Sequence, residues 1–180
     1  MTSIISGGLP ALIKQASGNE IHIIEEILID AVNWMDSRGL HMWEAEQVKW
    51  TGLSRFYRAE DFYIAYHDGV PAACMAMVDH DTVLWPDIPK GESLFLHKLA
   101  VKRAFAGKGF SKYLIDFAKE TARKRGIKTI RLDCHRYRPK LRAIYEREGF
   151  VCVGEKTLFG KYETAFYVCC LDDAISGVSR

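Results

Sequence analysis

Glycine and lysine residues between positions 106 and 111 have the types and spacing of a phosphate-binding turn. The segment reads Ala106, Gly107, Lys108, Gly109, Phe110 and Ser111. An apolar run at residues 94–101, which has the pattern of a buried strand, precedes it, and a helical pattern follows it. Backbone N–H groups at a helix start lack internal acceptors, the helix dipole adds positive charge there, and glycine lets an anion approach the backbone. The segment is therefore predicted to bind a diphosphate, with Lys108 as a nearby point charge.

Two common nucleotide-binding motifs do not fit this segment. A Walker-type loop needs a glycine five residues before its Gly-Lys pair and a Ser or Thr after the lysine, but Lys102 and Gly109 occupy those positions. A dinucleotide-binding turn needs a third glycine where Lys112 stands. The diphosphate site must therefore be of another class.

The strand and turn together resemble the acyl-CoA loop of the GNAT family of N-acetyltransferases. In that family a strand of Leu-x-Val type leads into a Gln or Arg, two further residues, then Gly-x-Gly or Gly-x-Ala. Ala106 stands where the family has Gln or Arg, and Ser111 stands where it has Gly or Ala. The resemblance implies acetyl-CoA as co-substrate, held by Leu99, Ala100, Val101, Ala106, Gly107, Lys108, Gly109, Phe110, Ser111 and Arg138.

The C-terminal half extends this resemblance to essentially the whole chain. The family carries an Asn-Pro pair, a later tyrosine and a Gly-Phe pair, and this chain has Arg138-Pro139, Tyr145 and Gly149-Phe150 at the matching positions. Arg138 replaces an asparagine whose amide often faces the pantetheine arm. An arginine could instead meet a CoA phosphate.

The resemblance implies direct transfer of an acetyl group to a primary amine, without a covalent enzyme intermediate. The Leu99 N–H would lie at the acetyl oxygen, and Val101 would lie along the pantetheine. Tyr145 is predicted to be the general acid for the departing thiolate. The base stays open between Glu92, His97 and a chain of waters. Strand alternation predicts that His97 shares a face with Leu99 and Val101.

Two other functions compete with this one. A domain of the same fold could bind acyl-CoA as a sensor and catalyse poorly, and the departures at Ala106 and Arg138 favour that alternative. A nucleic-acid-binding module is disfavoured by the net charge of +2. The acceptor, a small molecule or a peptide, is left undefined. The resemblance would put Trp34, Trp43 and Trp50 in the wall of the acceptor pocket. Their periodicity alone suits ordinary aromatic residues of the core and its rim.

The helices and strands that position these residues are predicted to form one α/β domain over residues 1–180. Of these residues 48% are hydrophobic, which is enough for a sizeable core. The resemblance makes it a mixed, mostly antiparallel sheet flanked by helices, with splayed central strands. Asp68-Gly69 has the sequence of a tight hairpin turn. Strands are predicted at residues 2–9, 62–66, 70–78, 94–101, 129–134, 151–155 and 164–171. Helices are predicted to begin near residues 21, 43, 54, 110 and 139, the first of them after a cap at Gly18-Asn19.

Patterns that are missing from the sequence limit the location and the partners that can be predicted for the protein. No apolar run approaches the roughly 20 residues that span a bilayer, and the N-terminus has no secretory pattern. The five cysteines form no Cys-x-x-Cys pair, so we expect them to be reduced and mostly buried in a cytoplasmic protein. No spacing predicts a metal site or a membrane partner. Exposed terminal strands would be compatible with a homodimer.

Overall fold

The structure, a computed structural model, describes residues 3–5 and 9–171. The strands are β1 (Ser3–Ile5), β2 (Leu9–Gln15), β3 (Phe62–His67), β4 (Val70–Val78), β5 (Leu94–Val101), β6 (Thr129–His135), β7 (Val151–Leu158) and β8 (Tyr162–Cys170). The α-helices are α1 (Ile21–Ser37), α2 (Ala45–Val48), α3 (Trp50–Leu53), α4 (Phe110–Lys124) and α5 (Pro139–Arg147). These elements form two compact units, the chain up to Val78 with Leu96–Ala118, and Asp79–Phe95 with the chain from Lys119. The predicted single domain stays a prediction.

In the first unit the strand order is β1-β2-β3-β4-β5. The pairs β1–β2, β2–β3 and β3–β4 are antiparallel. The predicted hairpin between β3 and β4 is confirmed. Asp68 and Gly69 both have positive φ angles, 49° and 79°, and such a pair of angles is what a two-residue hairpin turn of type I′ requires.

Helix α1 covers one face of this sheet. Its buried residues are Ile24, Ile27, Leu28, Val32 and Met35, which pack with Ile64, Cys74, Ala76 and Ala100 of β3, β4 and β5. The cap lies one residue before the predicted Gly18-Asn19 pair, because the Ser17 N–H donates to the Glu20 carboxylate at 2.9 Å. That bond closes a capping box on the 3₁₀ turn that leads into α1.

Helix α4 lies on the other face of the same strands. The Tyr113 hydroxyl donates to the Ala11 carbonyl of β2 at 3.1 Å, and the Phe117 ring lies 5.2 Å from the Tyr63 ring. Tyr63 and Ile64 are neighbours in β3, so their side chains point to opposite faces. The first unit is therefore a sheet with a helix on each side.

In the second unit the strand order is β6-β8-β7, and both pairs are antiparallel. Helix α5 packs on β8 through Tyr145, whose ring lies 6.2 Å from that of Tyr167. The loop at residues 79–93 packs on β8 through Trp85, whose ring lies 5.2 Å from that of Phe166. Because Phe166 and Tyr167 are adjacent in β8, the loop and the helix cover opposite faces. The predicted α/β class, with a mostly antiparallel sheet flanked by helices, is confirmed.

Two predictions in the first unit were wrong in part. The predicted first strand, residues 2–9, is described only as β1 and the start of β2, and residues 2 and 6–8 lie outside the described part of the chain. Strand β2 runs on to Gln15 and was missed, because Pro10 argues against a strand. The predicted helix at residues 54–60 is wrong. Arg58 is extended, and only Ala59–Asp61 form a short 3₁₀ turn.

The last hairpin is longer than predicted. Only residues 159–161 connect β7 to β8, whereas the sequence indicated a turn over residues 156–163. Most residues of β7 are exposed, and the missed positions 156 and 157 are Lys and Thr, so no apolar pattern marks this end of the strand.

Within residues 3–5 and 9–171, no helix is long and apolar enough to cross a membrane, and no cluster of His, Cys, Asp or Glu could hold a metal ion. All five cysteines are free. Cys74, Cys134 and Cys169 are buried, as predicted, but Cys170 is exposed. It follows Cys169 in β8, so the two side chains point to opposite faces.

Candidate functional site

The turn between β5 and α4 has an unusual backbone at its two glycines. Gly107 has a φ angle of 75° and Gly109 one of 87°, both in the left-handed region that favours glycine. A Cβ atom built on Gly107 would meet no heavy atom within 4 Å. Glycine is therefore required here by the backbone angle and not by crowding, and the surface of the turn is open to a ligand.

The start of α4 supplies hydrogen-bond donors next to this open surface. The Tyr113 N–H donates to the Gly109 carbonyl at 3.0 Å, which is the first bond of the helix. The N–H groups of Phe110, Ser111 and Lys112 precede that bond, so helix geometry gives them no intrahelical acceptor. Together with the helix dipole they form a site suited to a diphosphate. The predicted positions 106–111 are thus brought together in one turn.

Three aromatic rings support the turn from within the first unit. The ring of Phe105 lies 5.8 Å from that of His67 and 5.7 Å from that of Phe110, and His67 and Phe110 are 6.2 Å apart. The Lys108 ammonium lies 5.3 Å from the centre of the Phe105 ring. Sequence reasoning missed the roles of His67 and Phe105, because nothing local to either residue indicates this contact.

The two basic residues before the turn are held by one face of α1. Lys102 forms an ion pair with Glu26, and the Arg103 N–H donates to the Asp30 carboxylate at 2.7 Å. The Arg103 guanidinium stacks over the Trp34 ring at 4.3 Å. Residues 26, 30 and 34 are spaced by four, so they lie on one face of the helix.

Strand β5 is irregular at Lys98, which has a φ angle of 54°. Alternation of side chains does not carry through a left-handed residue, so the prediction that His97 shares a face with Leu99 and Val101 loses its basis. Instead, the neighbouring residues 97 and 98 both contact the segment 43–57. The His97 ring lies 5.9 Å from that of Tyr57, and the Lys98 ammonium lies 4.8 Å from the centre of the Trp43 ring.

In the second unit, Tyr145 is a buried residue of α5. It is 6% exposed, and its ring lies 6.0 Å from that of Phe150. Burial raises the pKa of the phenol, and Cys134 and Asp133 raise it further. The hydroxyl therefore keeps its proton throughout the neutral range, which is the state that a proton donor must have.

A second buried tyrosine, Tyr167, holds a hydrogen-bond network beside Tyr145. The Arg142 Nε donates to the Tyr167 hydroxyl at 2.7 Å, and that hydroxyl donates to Glu146 at 2.8 Å. Arg142 also donates to Glu155 of β7 at 2.6 Å. Burial and the bond to Glu146 raise the pKa of Tyr167 to about 12. The spacing of Arg142 and Glu146 on α5 could have indicated that they lie on one face of the helix, but not that the Tyr167 hydroxyl bridges them.

The remaining predicted residues of this unit differ in environment. Glu92 is exposed in the loop before β5, and its N–H donates to the Pro89 carbonyl at 3.2 Å. Arg138 is half-buried at the start of α5, where burial lowers its pKa and Cys134 partly opposes that effect. An arginine in such a place keeps its charge.

Comparisons with known proteins agree with this geometry. A sequence profile of the Acetyltransferase (GNAT) family matches residues 25–150. Over 145 residues the chain is 30% identical to YesJ of Bacillus subtilis (strain 168), described as an uncharacterized N-acetyltransferase, and the match covers 73% of this chain and 76% of YesJ.

Solved structures extend the comparison. A GNAT-family acetyltransferase from Listeria monocytogenes 4b F2365 is similar with a TM-score of 0.76 and 28% identity, over 93% of this chain and 99% of that one. N-acetylglutamate synthase from Neisseria gonorrhoeae, solved with coenzyme A and L-arginine, shares the fold with a TM-score of 0.62 and 18% identity over 91% of this chain. The match covers 34% of the synthase. From the family profile and the Bacillus relative together, the chain belongs to the GNAT family of acetyltransferases.

Proposed function

We propose that this acetyltransferase uses acetyl-CoA and transfers the acetyl group directly to a primary amine of a small molecule or a peptide. The observation that carries the proposal is the turn after β5. Two left-handed glycines, Gly107 and Gly109, lead into the first N–H groups of α4, for which helix geometry provides no acceptor within the helix. This arrangement suits the diphosphate of CoA, and the family suits the reaction.

The co-substrate is held mainly by backbone groups. The diphosphate lies on residues 106–111, and the pantetheine runs along Val101 and Ala100. The Leu99 N–H donates to the acetyl oxygen, where negative charge develops in the tetrahedral intermediate. Arg138 binds a phosphate of CoA. Ala106 stands where the family has Gln or Arg, so one side-chain contact is lost. The contacts from the backbone N–H groups stay in place.

Acetyl transfer requires two proton movements. A free alkylammonium has a pKa of about 10.4, so a base must take a proton before nitrogen attacks the thioester carbon. Glu92, His97 or a water chain fills that role. The C–N bond then forms, the C–S bond breaks, and the thiolate leaves. Tyr145 donates its phenol proton to that sulfur as the C–S bond breaks. Burial raises the pKa of the phenol, so the phenolate that forms readily takes up a proton again.

The test measures CoA binding and thiol release separately. Calorimetry with CoA is followed by a thiol-release assay with acetyl-CoA and a panel of amines, amino acids, peptides and aminoglycosides. We expect micromolar binding and release that depends on one class of amine. Tight CoA binding without amine-dependent release would instead support the sensor. The absence of CoA binding would overturn both functions.

A further inference from the structure

Arg103 lies directly before the proposed diphosphate loop and is bonded to that loop through the backbone. It begins the 3₁₀ turn Arg103–Phe105, and its carbonyl accepts a hydrogen bond from the Ala106 N–H at 3.2 Å. Its own N–H donates to the Asp30 carboxylate of α1 at 2.7 Å. All of these residues belong to the first unit, as do residues 106–111. The backbone of Arg103 therefore has a fixed position beside the loop.

The Arg103 guanidinium is held on the surface of α1. It stacks over the Trp34 ring, 4.3 Å from the ring centre, and Trp34 packs against the hydrophobic core of the first unit. Trp34 follows Asp30 by four residues, which is about 6 Å along the helix axis, so the guanidinium lies beyond that carboxylate. A cation over an aromatic face is held by the negative charge of the ring, and this contact uses none of the N–H donors.

Arg103 and its neighbour Lys102 differ in what their charges pair with. Lys102 forms an ion pair with Glu26 of α1, and its side chain is mostly buried. Arg103 is exposed, and no carboxylate among residues 3–5 and 9–171 forms an ion pair with its guanidinium. Lys102 therefore stabilises the fold, whereas Arg103 presents a positioned cation at the surface.

Coenzyme A carries two anionic groups that are separated by one ribose. One is the diphosphate, for which the loop offers backbone N–H groups at the start of α4. The other is a phosphate monoester on the ribose 3′-oxygen, which carries about 1.5–2 negative charges at pH 7. Such a group is bound more strongly by a cationic side chain than by neutral backbone donors. Lys102 is already paired, and Lys108 is predicted to lie near the diphosphate, so Arg103 is the cation that suits the monoester.

We propose that Arg103 binds the 3′-phosphate of CoA, an inference that rests on the proposed use of acetyl-CoA. The turn passes around the end of β5 from the α1 face of the sheet to the α4 face. The diphosphate lies at the α4 end of the turn, Arg103 lies at the α1 end, and the ribose crosses the turn between them. A guanidinium forms two parallel N–H bonds to a phosphate. Arg103 thereby lets the enzyme distinguish CoA from 3′-dephospho-CoA.

Calorimetry with CoA and with 3′-dephospho-CoA tests the proposal. The unmodified protein should bind CoA about tenfold more tightly or more, because the contact with the charged monoester is missing from the second ligand. Arg103→Met should reduce this preference to less than about twofold and change the affinity for 3′-dephospho-CoA by less than about twofold. Arg55→Met, which removes another exposed arginine of the same unit, is the matched control and should keep the preference.

The two ligands also separate a failure of this proposal from a failure of the proposed function. Equal losses of affinity for both ligands in Arg103→Met would mean that Arg103 acts only through the shape of the loop or the general charge, and would overturn the proposal. An unmodified protein that binds both ligands equally would overturn it too. The proposed use of acetyl-CoA would stand in either case. If neither ligand binds, the proposed function fails as well.

Phosphorus-31 NMR of bound CoA identifies which phosphate Arg103 contacts, because the monoester and the diphosphate give separate signals. We expect Arg103→Met to shift the monoester signal and to leave the diphosphate signals in place. A shift of the diphosphate signals alone would overturn the choice of the 3′-phosphate. Every substitution of Arg103 other than proline keeps the N–H that donates to Asp30, so the loop keeps this anchor. Arg103→Lys, which keeps the cation without the paired donors, is the second variant and should show an intermediate preference for CoA.

Discussion

Asp30 of α1 accepts a hydrogen bond from the backbone N–H of Arg103 at 2.7 Å, although the two residues are 73 positions apart in the sequence. Arg103 begins the 3₁₀ turn Arg103–Phe105, and a first N–H of a turn has no acceptor within it. The carboxylate therefore acts as a cap that comes from another helix. It fixes the start of the proposed CoA loop against α1.

Removal of this cap should weaken the binding of acetyl-CoA more than it slows the chemical step. Asp30→Ala leaves the Arg103 N–H without its charged acceptor, a loss of about 1 kcal/mol, so KM for acetyl-CoA should rise about fivefold with little change in kcat. Steady-state kinetics checks the split. Asp36→Ala is the matched control, since it removes another carboxylate of α1, one that pairs with His41 beyond the end of the helix, and it should leave KM unchanged. A fall in kcat alone would contradict the cap's proposed role.

Substitution of Gly107 and of Gly39, which both have left-handed backbone angles, distinguishes the effect of backbone strain from an effect on ligand binding. Their φ angles are 75° and 64°, and a Cβ atom would meet nothing within 4 Å at either position. Alanine should therefore cost about 1 kcal/mol of stability at both, through the backbone angle alone. CoA affinity, measured by calorimetry, should fall about tenfold or more in Gly107→Ala only. A similar loss in Gly39→Ala would attribute the effect to general destabilisation.

Tyr145→Phe tests the proposed proton donor. Loss of a general acid typically costs a factor of about 10² or more, so kcat should fall by roughly that amount while the Kd for CoA stays within about twofold. Tyr66→Phe is the control, since it removes a hydroxyl that donates to Glu20 at 2.9 Å outside the proposed site. Unchanged turnover in Tyr145→Phe would remove the acid assignment.

The Tyr167 network should make stability depend on pH in the alkaline range. The pKa of Tyr167 rises from 10.0 in the unfolded chain to about 12 in the fold. Folding therefore favours the protonated phenol, and this contribution is complete below pH 10 and is lost as the pH rises toward 12.

Urea unfolding between pH 8 and pH 11.5 measures this dependence. The free energy of unfolding of the unmodified protein should decline above pH 10, and Tyr167→Phe should decline less steeply from a lower starting value. Tyr137→Phe, at a position that is 65% exposed, should follow the unmodified protein. Parallel curves for all three would show that Tyr167 does not titrate differently in the two states.

The sequence predicted those parts of the site that depend on short stretches of chain. The bounds of β5 and the start of α4 are as expected, because an apolar run and a glycine turn are local signals. Strand β2 was missed because Pro10 conceals it, and the Asp30–Arg103 bond was missed because an acid on a helix surface has the pattern of a solvated residue. The left-handed angle at Lys98 also has no signature, since lysine seldom adopts it.

That angle at Lys98 limits how the enzyme can be redesigned. A β-branched side chain there would add strain of roughly 1–2 kcal/mol or more, whereas asparagine tolerates the left-handed region and removes the cation from the Trp43 ring. A library that varies this part of β5 should therefore restrict position 98 to lysine, asparagine and glycine. Unrestricted variation at position 98 would add many destabilised proteins to such a library.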